Sequence, residues 1–407
     1  MSAPGKLGLA DGTALFVGAV LGPGVLALPA LAVAAAGPAS VVAWAGLLVL
    51  SAPVAWTFAT LGARYSDGGG LAAFVGHAFG PRAAVVVGWW FYFAVPLGVL
   101  AGALIGADYV TAALGAGGGA GLVLACVLLV AAFLANHIGL RVAGRVQLLL
   151  VGLLVVLLVV AVLTAGAHFE TGRFTPFLPH GWVGVAEAGS VLFFAFAGWE
   201  AVSSLSAEFS DPRRQLPRVT AWTFVIVGLL YAALAVTTVG VLGPEAANTA
   251  VPLTLLLERG IGAAAPEVSA VAAVLLSFGA INAYLAGGAR LGAALARDGG
   301  LPTRLASERR SLALLAVVTA LLVAVVVVAG VELDLLMRAT SACLAAVTFA
   351  GTAAAVRLLR AGGRRIAIVA TAFTGAVLLA CGPFLLLPLA LGLAACARRT
   401  APTGALR

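Results

Sequence analysis

The chain has 407 residues, 63% hydrophobic and only 9% charged, with a mean hydropathy of +1.15. A soluble domain carries about a quarter charged residues, so this composition excludes one and makes the bilayer the solvent. The net charge of +8 comes from short basic clusters between apolar stretches, which points to membrane orientation rather than to a nucleic-acid surface.

In chain order, windows of about 19 residues predict twelve membrane helices. They lie near 11–35, 39–62, 84–113, 120–137, 145–166, 184–207, 220–242, 266–296, 312–330, 333–357, 365–381 and 383–397. The interrupted segments 64–83 and 245–264 read as amphipathic or re-entrant pieces. Only Lys6 precedes the first span, which is expected to be retained rather than removed as a signal peptide. With the N-terminus in the cytoplasm, nineteen of the twenty-three basic residues fall on the inner side. Arg173 and Arg259 fall outside, while Arg290 and Arg338 lie within spans. The alternation predicts both termini in the cytoplasm of a multi-pass protein. Cys126, Cys343, Cys381 and Cys396 lie in apolar segments or at their ends, with no metal-ligand spacing, and read as packing residues.

Uniform apolar helices only anchor, so function is sought where the pattern fails. The stretch VGAVLGPGVLALPA (17–30) is interrupted by Gly22-Pro23-Gly24. Proline lacks an amide and clashes with the preceding turn, so this span is expected to break. The sixth span, FFAFAGWEAVSSLSAE (193–208), holds Gly198, Glu200 and three serines. The eighth carries Asn282, Tyr284, Gly287-Gly288 and Arg290, and the third Tyr92, Pro96 and Asp108. An ionisable group at the depth of Glu200 is costly and faces a cavity or a partner, a structural hydrogen bond being the alternative. Asp108 and Asn282 read as packing or capping groups, with a direct ligand role as their alternative. Spans one and six are five positions apart, as in an all-α membrane fold with inverted repeats at 11–166 and 184–357 and two additional helices at 365–397. In that 5+5 fold, helices one and six are discontinuous at mid-membrane and bind substrate there. No HExxH, GxSxG or paired intramembrane acids support an enzyme.

These residues carry a pattern. GAVLGPGVLALPA resembles the G-x-x-x-G-x-G-[IV]-[FL] element of the amino acid–polyamine–organocation superfamily. FFAFAGWEAVSSLSAEFSDPRRQLPR (193–218) is similar to its helix-six motif, and ARLGAALARDGGLP (289–302) to the segment ending helix eight. LGLADG, GGGLAAFVGHAFGPR (68–82) and AEFSDPRRQLPR look closest to the bacterial exporters of methionine and branched-chain amino acids.

The resemblance implies roles at matching positions. The backbone around Gly22, Pro23, Gly24 and Val25 would face the substrate carboxylate, although Pro23 has no amide to donate. Carbonyls near Ala19 and around Phe194, Ala197 and Gly198 would receive the α-ammonium, with Phe194 and Tyr284 as gates or pocket walls. Glu200 would be the proton-coupling group. Leu154 stands near the place of a lysine that some members use, and the stretch 286–289 lacks the hydroxyls that often help bind sodium.

Broken helix ends supply donors and acceptors for a zwitterion without buried side-chain charge. A wall of Val, Leu, Ala and Phe favours a neutral, apolar amino acid, because burying an unpaired substrate charge is prohibitive. The expectation is therefore a secondary transporter of methionine, leucine, isoleucine and valine, exporting by proton antiport. The alternative is a proton-coupled uptake permease of the same fold. No cofactor or metal is expected, only a proton gradient. The partners are the substrate and the lipid of a bacterial plasma membrane, with no nucleic acid; oligomeric state is not legible.

Overall fold

The structure is a computed structural model. It describes residues 8–65, 70–117, 119–139, 144–196, 198–199, 209 and 211–397, the side chains of 144, 145, 147 and 361 apart. Among them, nine helical stretches are long and apolar enough to cross a bilayer. They correspond to nine of the twelve expected spans. The other three contain shorter pieces: Leu9–Val20, Gly181–Phe196 and Gly382–Ala397. The reason is local. In the first of them Pro23, between Gly22 and Gly24, denies the helix its hydrogen-bond ladder, so Leu9–Val20 stops short of the ~20 residues needed to span.

The first span is α1 (Leu9–Val20), a 3₁₀ turn over Pro23–Leu26 and α2 (Leu28–Ala36). A turn at Gly37–Ala39 leads into α3 (Ser40–Arg64). The interrupted connector holds the short helix α4 (Gly70–Phe79). Next come α5 (Pro81–Leu114), α6 (Ala120–His137), α7 (Gly144–Ala165) and α8 (Gly181–Phe196). Then follow α9 (Pro212–Thr237), α10 (Pro252–Ile261), α11 (Ala265–Arg297), α12 (Glu308–Ala329) and α13 (Leu333–Leu358). Finally, α14 (Ala361–Ala380) and α15 (Leu386–Ala397) are separated at Gly382-Pro383, where Gly382 has φ +53°. The other interrupted segment, 245–264, forms α10, which buries Leu253, Leu256 and Leu257 and exposes Glu258 and Arg259.

Helix α5 is the central post. It packs on α11 and α13, and its glycines Gly98, Gly102 and Gly106 recur every fourth residue along one stripe. A methyl group at Gly102 would lie 3.5 Å from Ile281, and one at Gly106 3.0 Å from Ser277, both on α11. Small residues at that spacing let two helices approach closely, the main source of helix attraction where lipid is the solvent. Aromatic groups fix the post's lower half. The Trp89 indole donates to Gly300 O at 2.9 Å, Trp90 to Pro388 O at 2.6 Å and the Tyr92 hydroxyl to Ser311 O at 3.0 Å. Outward faces carry exposed Leu134, Leu149, Leu163 and Val328, which suits contact with lipid and not with water.

Arg338, within the span α13, is not a lone charge. Its Nε donates to Asp334 Oδ2 at 2.7 Å, and its Nη1 to Glu187 O at 3.2 Å and Ser190 Oγ at 3.1 Å. The guanidinium therefore pins the middle of α8 to α13. The Asn282 side-chain oxygen accepts from Asn136 of α6, an interhelical polar tie.

Candidate functional site

The site grows from the way α1 ends. Pro23 stands at the first position of the 3₁₀ turn, where an amide would have no intrahelical acceptor, so its missing N–H costs little. Gly22 is extended at φ −89°, ψ 175°. Its N–H donates to Val20 O at 3.0 Å, and the Val25 N–H donates to Gly22 O at 3.3 Å. Among the described residues the Gly24 N–H has no such acceptor. Of the amides expected to face a carboxylate, Gly24 alone is left unspent by the turn.

The second break lies beyond α8. Gly198 has φ +140° and sits directly on the end of α1: a methyl group there would lie 2.5 Å from Ala19 O and 3.2 Å from Val20 Cα. The two interruptions, distant in sequence, thus touch backbone to backbone. Trp199 beside it is buried and packs near Phe224 of α9, centroids 6.3 Å apart.

Two tyrosines tie the broken ends. The fully buried Tyr231 of α9 shares its hydroxyl proton between Val20 O at 3.2 Å and Ala195 O at 3.3 Å. One side chain therefore bridges the C-terminal ends of α1 and α8, held by Trp44 and Phe196 at 5.0 and 5.7 Å between centroids. On the far side of the first break, the Tyr109 hydroxyl donates to Leu26 O at 2.9 Å and accepts from the Leu253 N–H of α10 at 3.3 Å.

Between these ties lies a small cavity of about 20 Å³, room for about one water molecule. Ala19, Gly22, Pro23, Gly24, Val25, Phe194 and Tyr284 line it, as expected. Val20, Gly98, Val99, Gly102, Ala195, Ala280 and Ile281 complete the wall. Apart from Tyr284 the lining is apolar side chain and bare backbone, with no carboxylate, lysine, arginine or histidine among the described residues. The half-buried Phe194 ring lies over Gly24, where a methyl group would meet its Cδ1 at 2.6 Å. Gly198 touches Ala19 behind the cavity without lining it, and Asp108 does not line it. Ala197 and Glu200 lie outside the described residues. Among the described residues no three His, Cys, Asp or Glu side chains converge as a metal site would need.

Sequence reasoning missed Tyr231, Tyr109 and the α5 wall. The tyrosines carry no local signal, since each acts on a backbone group between 36 and 211 positions away. The wall did carry one: the Gly98, Gly102, Gly106 stripe is legible as a close-packing helix face. Tyr231→Phe removes the donor shared by Ala195 O and Val20 O, the latter keeping only the Gly22 N–H, at a cost of about 1–3 kcal/mol. Transport in proteoliposomes is expected to fall at least about fivefold with the protein still folded; an unchanged rate would show the bridge to be idle.

Broken helices that meet around a central cavity within a helical membrane bundle define a solute transporter. The chain belongs to the amino acid permease family, whose profile matches residues 7–392. It is 32% identical over 362 residues to the uncharacterized amino acid permease YecA of Bacillus subtilis, covering 87% of this chain and 85% of that one. It is 33% identical over 292 residues to the L-methionine/branched-chain amino acid exporter YjeH of Escherichia coli, covering 70% and 69%. The branched-chain amino acid permease BcaP of Bacillus subtilis is 25% identical over 73% of this chain and 68% of its own length. These relatives are named as transporters or permeases, not as enzymes.

Proposed function

We propose that the protein is a secondary transporter of neutral, apolar amino acids of the methionine and branched-chain class, exporting them in exchange for protons. The observation that carries this reading is the cavity itself: a Gly24 amide with no backbone acceptor among the described residues and the carbonyl ends of α1 and α8, around a wall that is apolar but for Tyr284. A carboxylate would sit at the amide and an α-ammonium at the carbonyls, as the dipoles of broken helices favour. Val25, Val99, Ile281 and Phe194 would take the side chain. The small volume requires Phe194 and Tyr284 to swing outward before a leucine-sized substrate enters. In this reading the chain crosses the inner membrane of a bacterium twelve times, as two inverted five-helix repeats and a final pair, with both termini cytoplasmic.

Export is favoured by the similarity to a protein named as an exporter of this substrate class. Uptake is the second reading, favoured by the similarity to a branched-chain amino acid permease. Proton coupling is assigned to Glu200, two positions after Gly198. Counterflow in proteoliposomes tests substrate and coupling together. Labelled leucine and methionine are expected to exchange, while a basic amino acid or a polyamine is not; the opposite pattern overturns the pocket argument. Glu200→Gln is expected to lose proton-driven accumulation and keep part of the substrate exchange. Wild-type pH dependence in that variant would remove Glu200 from the coupling step.

A further inference from the structure

The outer face of the bundle holds a second, larger hollow: an open apolar groove of about 710 Å³ between α13 and α14. Its lining includes Phe349 and Val356 of α13 and Ile368, Thr371, Gly375 and Leu379 of α14. The Thr371 hydroxyl is already spent on Ala367 O at 2.7 Å, so the groove offers no free side-chain donor of its own.

One end of this groove is strongly basic. On α14 the residues Arg364, Ile368, Thr371, Gly375 and Leu379 follow each other by three or four positions, which places Arg364 at the head of the groove-lining face. Arg365 is one position on, and Arg360 caps the start of α14 in the extended junction that joins it to α13, four residues after Val356. All three arginines are exposed, and no carboxylate among the described residues lies within 4.0 Å of them. The nearby Arg357 is engaged differently, donating to Ala78 O at 3.1 Å and stacking 4.5 Å from the Phe79 ring. Three unpaired cations at the first turns of a helix oppose its dipole, a placement that an anion would relieve.

We propose that this groove binds an anionic phospholipid. One acyl chain lies against Phe349, Val356 and Gly375, while Arg360, Arg364 and Arg365 hold the phosphate. A soluble anion has no use for the groove, and a zwitterionic lipid leaves the arginines uncompensated, so the joined apolar and basic surfaces select a lipid with net negative charge. The inference rests on α13 and α14 lying in the bilayer and is independent of which solute the central cavity carries.

The test uses the full-length protein in detergent, with lipid retention read by native mass spectrometry and melting by intrinsic fluorescence. Phosphatidylglycerol is expected to be retained in preference to phosphatidylcholine and to raise the melting temperature by about 2 °C or more. The triple variant Arg360→Gln, Arg364→Gln, Arg365→Gln is expected to lose the preference. Ala376→Trp, which fills the groove from its exposed side, is expected to lose retention of both lipids while its melting temperature without lipid stays near wild type. Equal retention of the two lipids, preference surviving in the triple variant, or glycerol phosphate matching the lipid's effect would each overturn the proposal. So would a change of oligomeric state in Ala376→Trp, which would give the groove to a second copy of the chain.

Discussion

Gly198→Ala is expected to reduce transport by about a hundredfold or more. Two costs coincide there. The backbone has φ +140°, and the new methyl would stand 2.5 Å from Ala19 O and 3.1 Å from its carbonyl carbon. Strain from such a φ in a residue other than glycine costs about 1–3 kcal/mol, and overpacking against rigid neighbours about 1–3 kcal/mol more. The atoms in the way are backbone, so they cannot turn aside as a side-chain tip would. Relief requires the end of α1 to move, and with it Val20 O, the acceptor for Tyr231. The measurement is initial counterflow rate per folded molecule, with folding checked by gel filtration. A variant that folds and transports like wild type would separate the contact of the two breaks from function.

The second large effect distinguishes three neighbouring positions. Gly24→Ala is expected to be damaging, Pro23→Ser mild and Gly22→Ala nearly silent. A methyl at Gly24 meets the Phe194 ring at 2.6 and 2.8 Å and Leu28 at 3.4 Å, whereas at Gly22 it meets nothing within 4 Å. Displacing the ring costs about 1–3 kcal/mol and disturbs both the Gly24 amide and the aromatic cover of the cavity. At Pro23 a serine restores an amide that the first position of a turn does not use. The loss in Gly24→Ala should appear as a transport rate at least about tenfold lower, since 1.4 kcal/mol corresponds to a factor of ten. Equal rates for Gly22→Ala and Gly24→Ala would show that the Phe194 contact is not part of the working site.

Much of this was legible before any coordinates. Apolar runs of the right length located the long helices, because the bilayer forces every backbone group into a helix and leaves hydropathy as the dominant signal. Gly22-Pro23-Gly24 marked the break in the first span, for proline acts within one turn of itself. The interrupted stretch at 245–264 read as an amphipathic or re-entrant piece, and it holds the short helix α10, with one buried leucine face and exposed Glu258 and Arg259. Asn282 shows the opposite case. Its cost at membrane depth was visible in the sequence, but whether it met a ligand or a neighbour depended on Asn136, 146 positions away.

By itself, then, the sequence determined the character of each segment: which stretches form long apolar helices, and where the first span breaks. Tertiary structure alone decided what meets what. It brought Gly198 onto Ala19, strung Tyr231 between Val20 and Ala195, spent the Gly22 and Val25 amides while sparing Gly24, and laid Phe194 across that last donor. The physical reason is one of range. Helix formation and breaking act within a turn or two of the chain, whereas a site made of backbone groups has no residue type to announce it and exists only once distant segments are packed together.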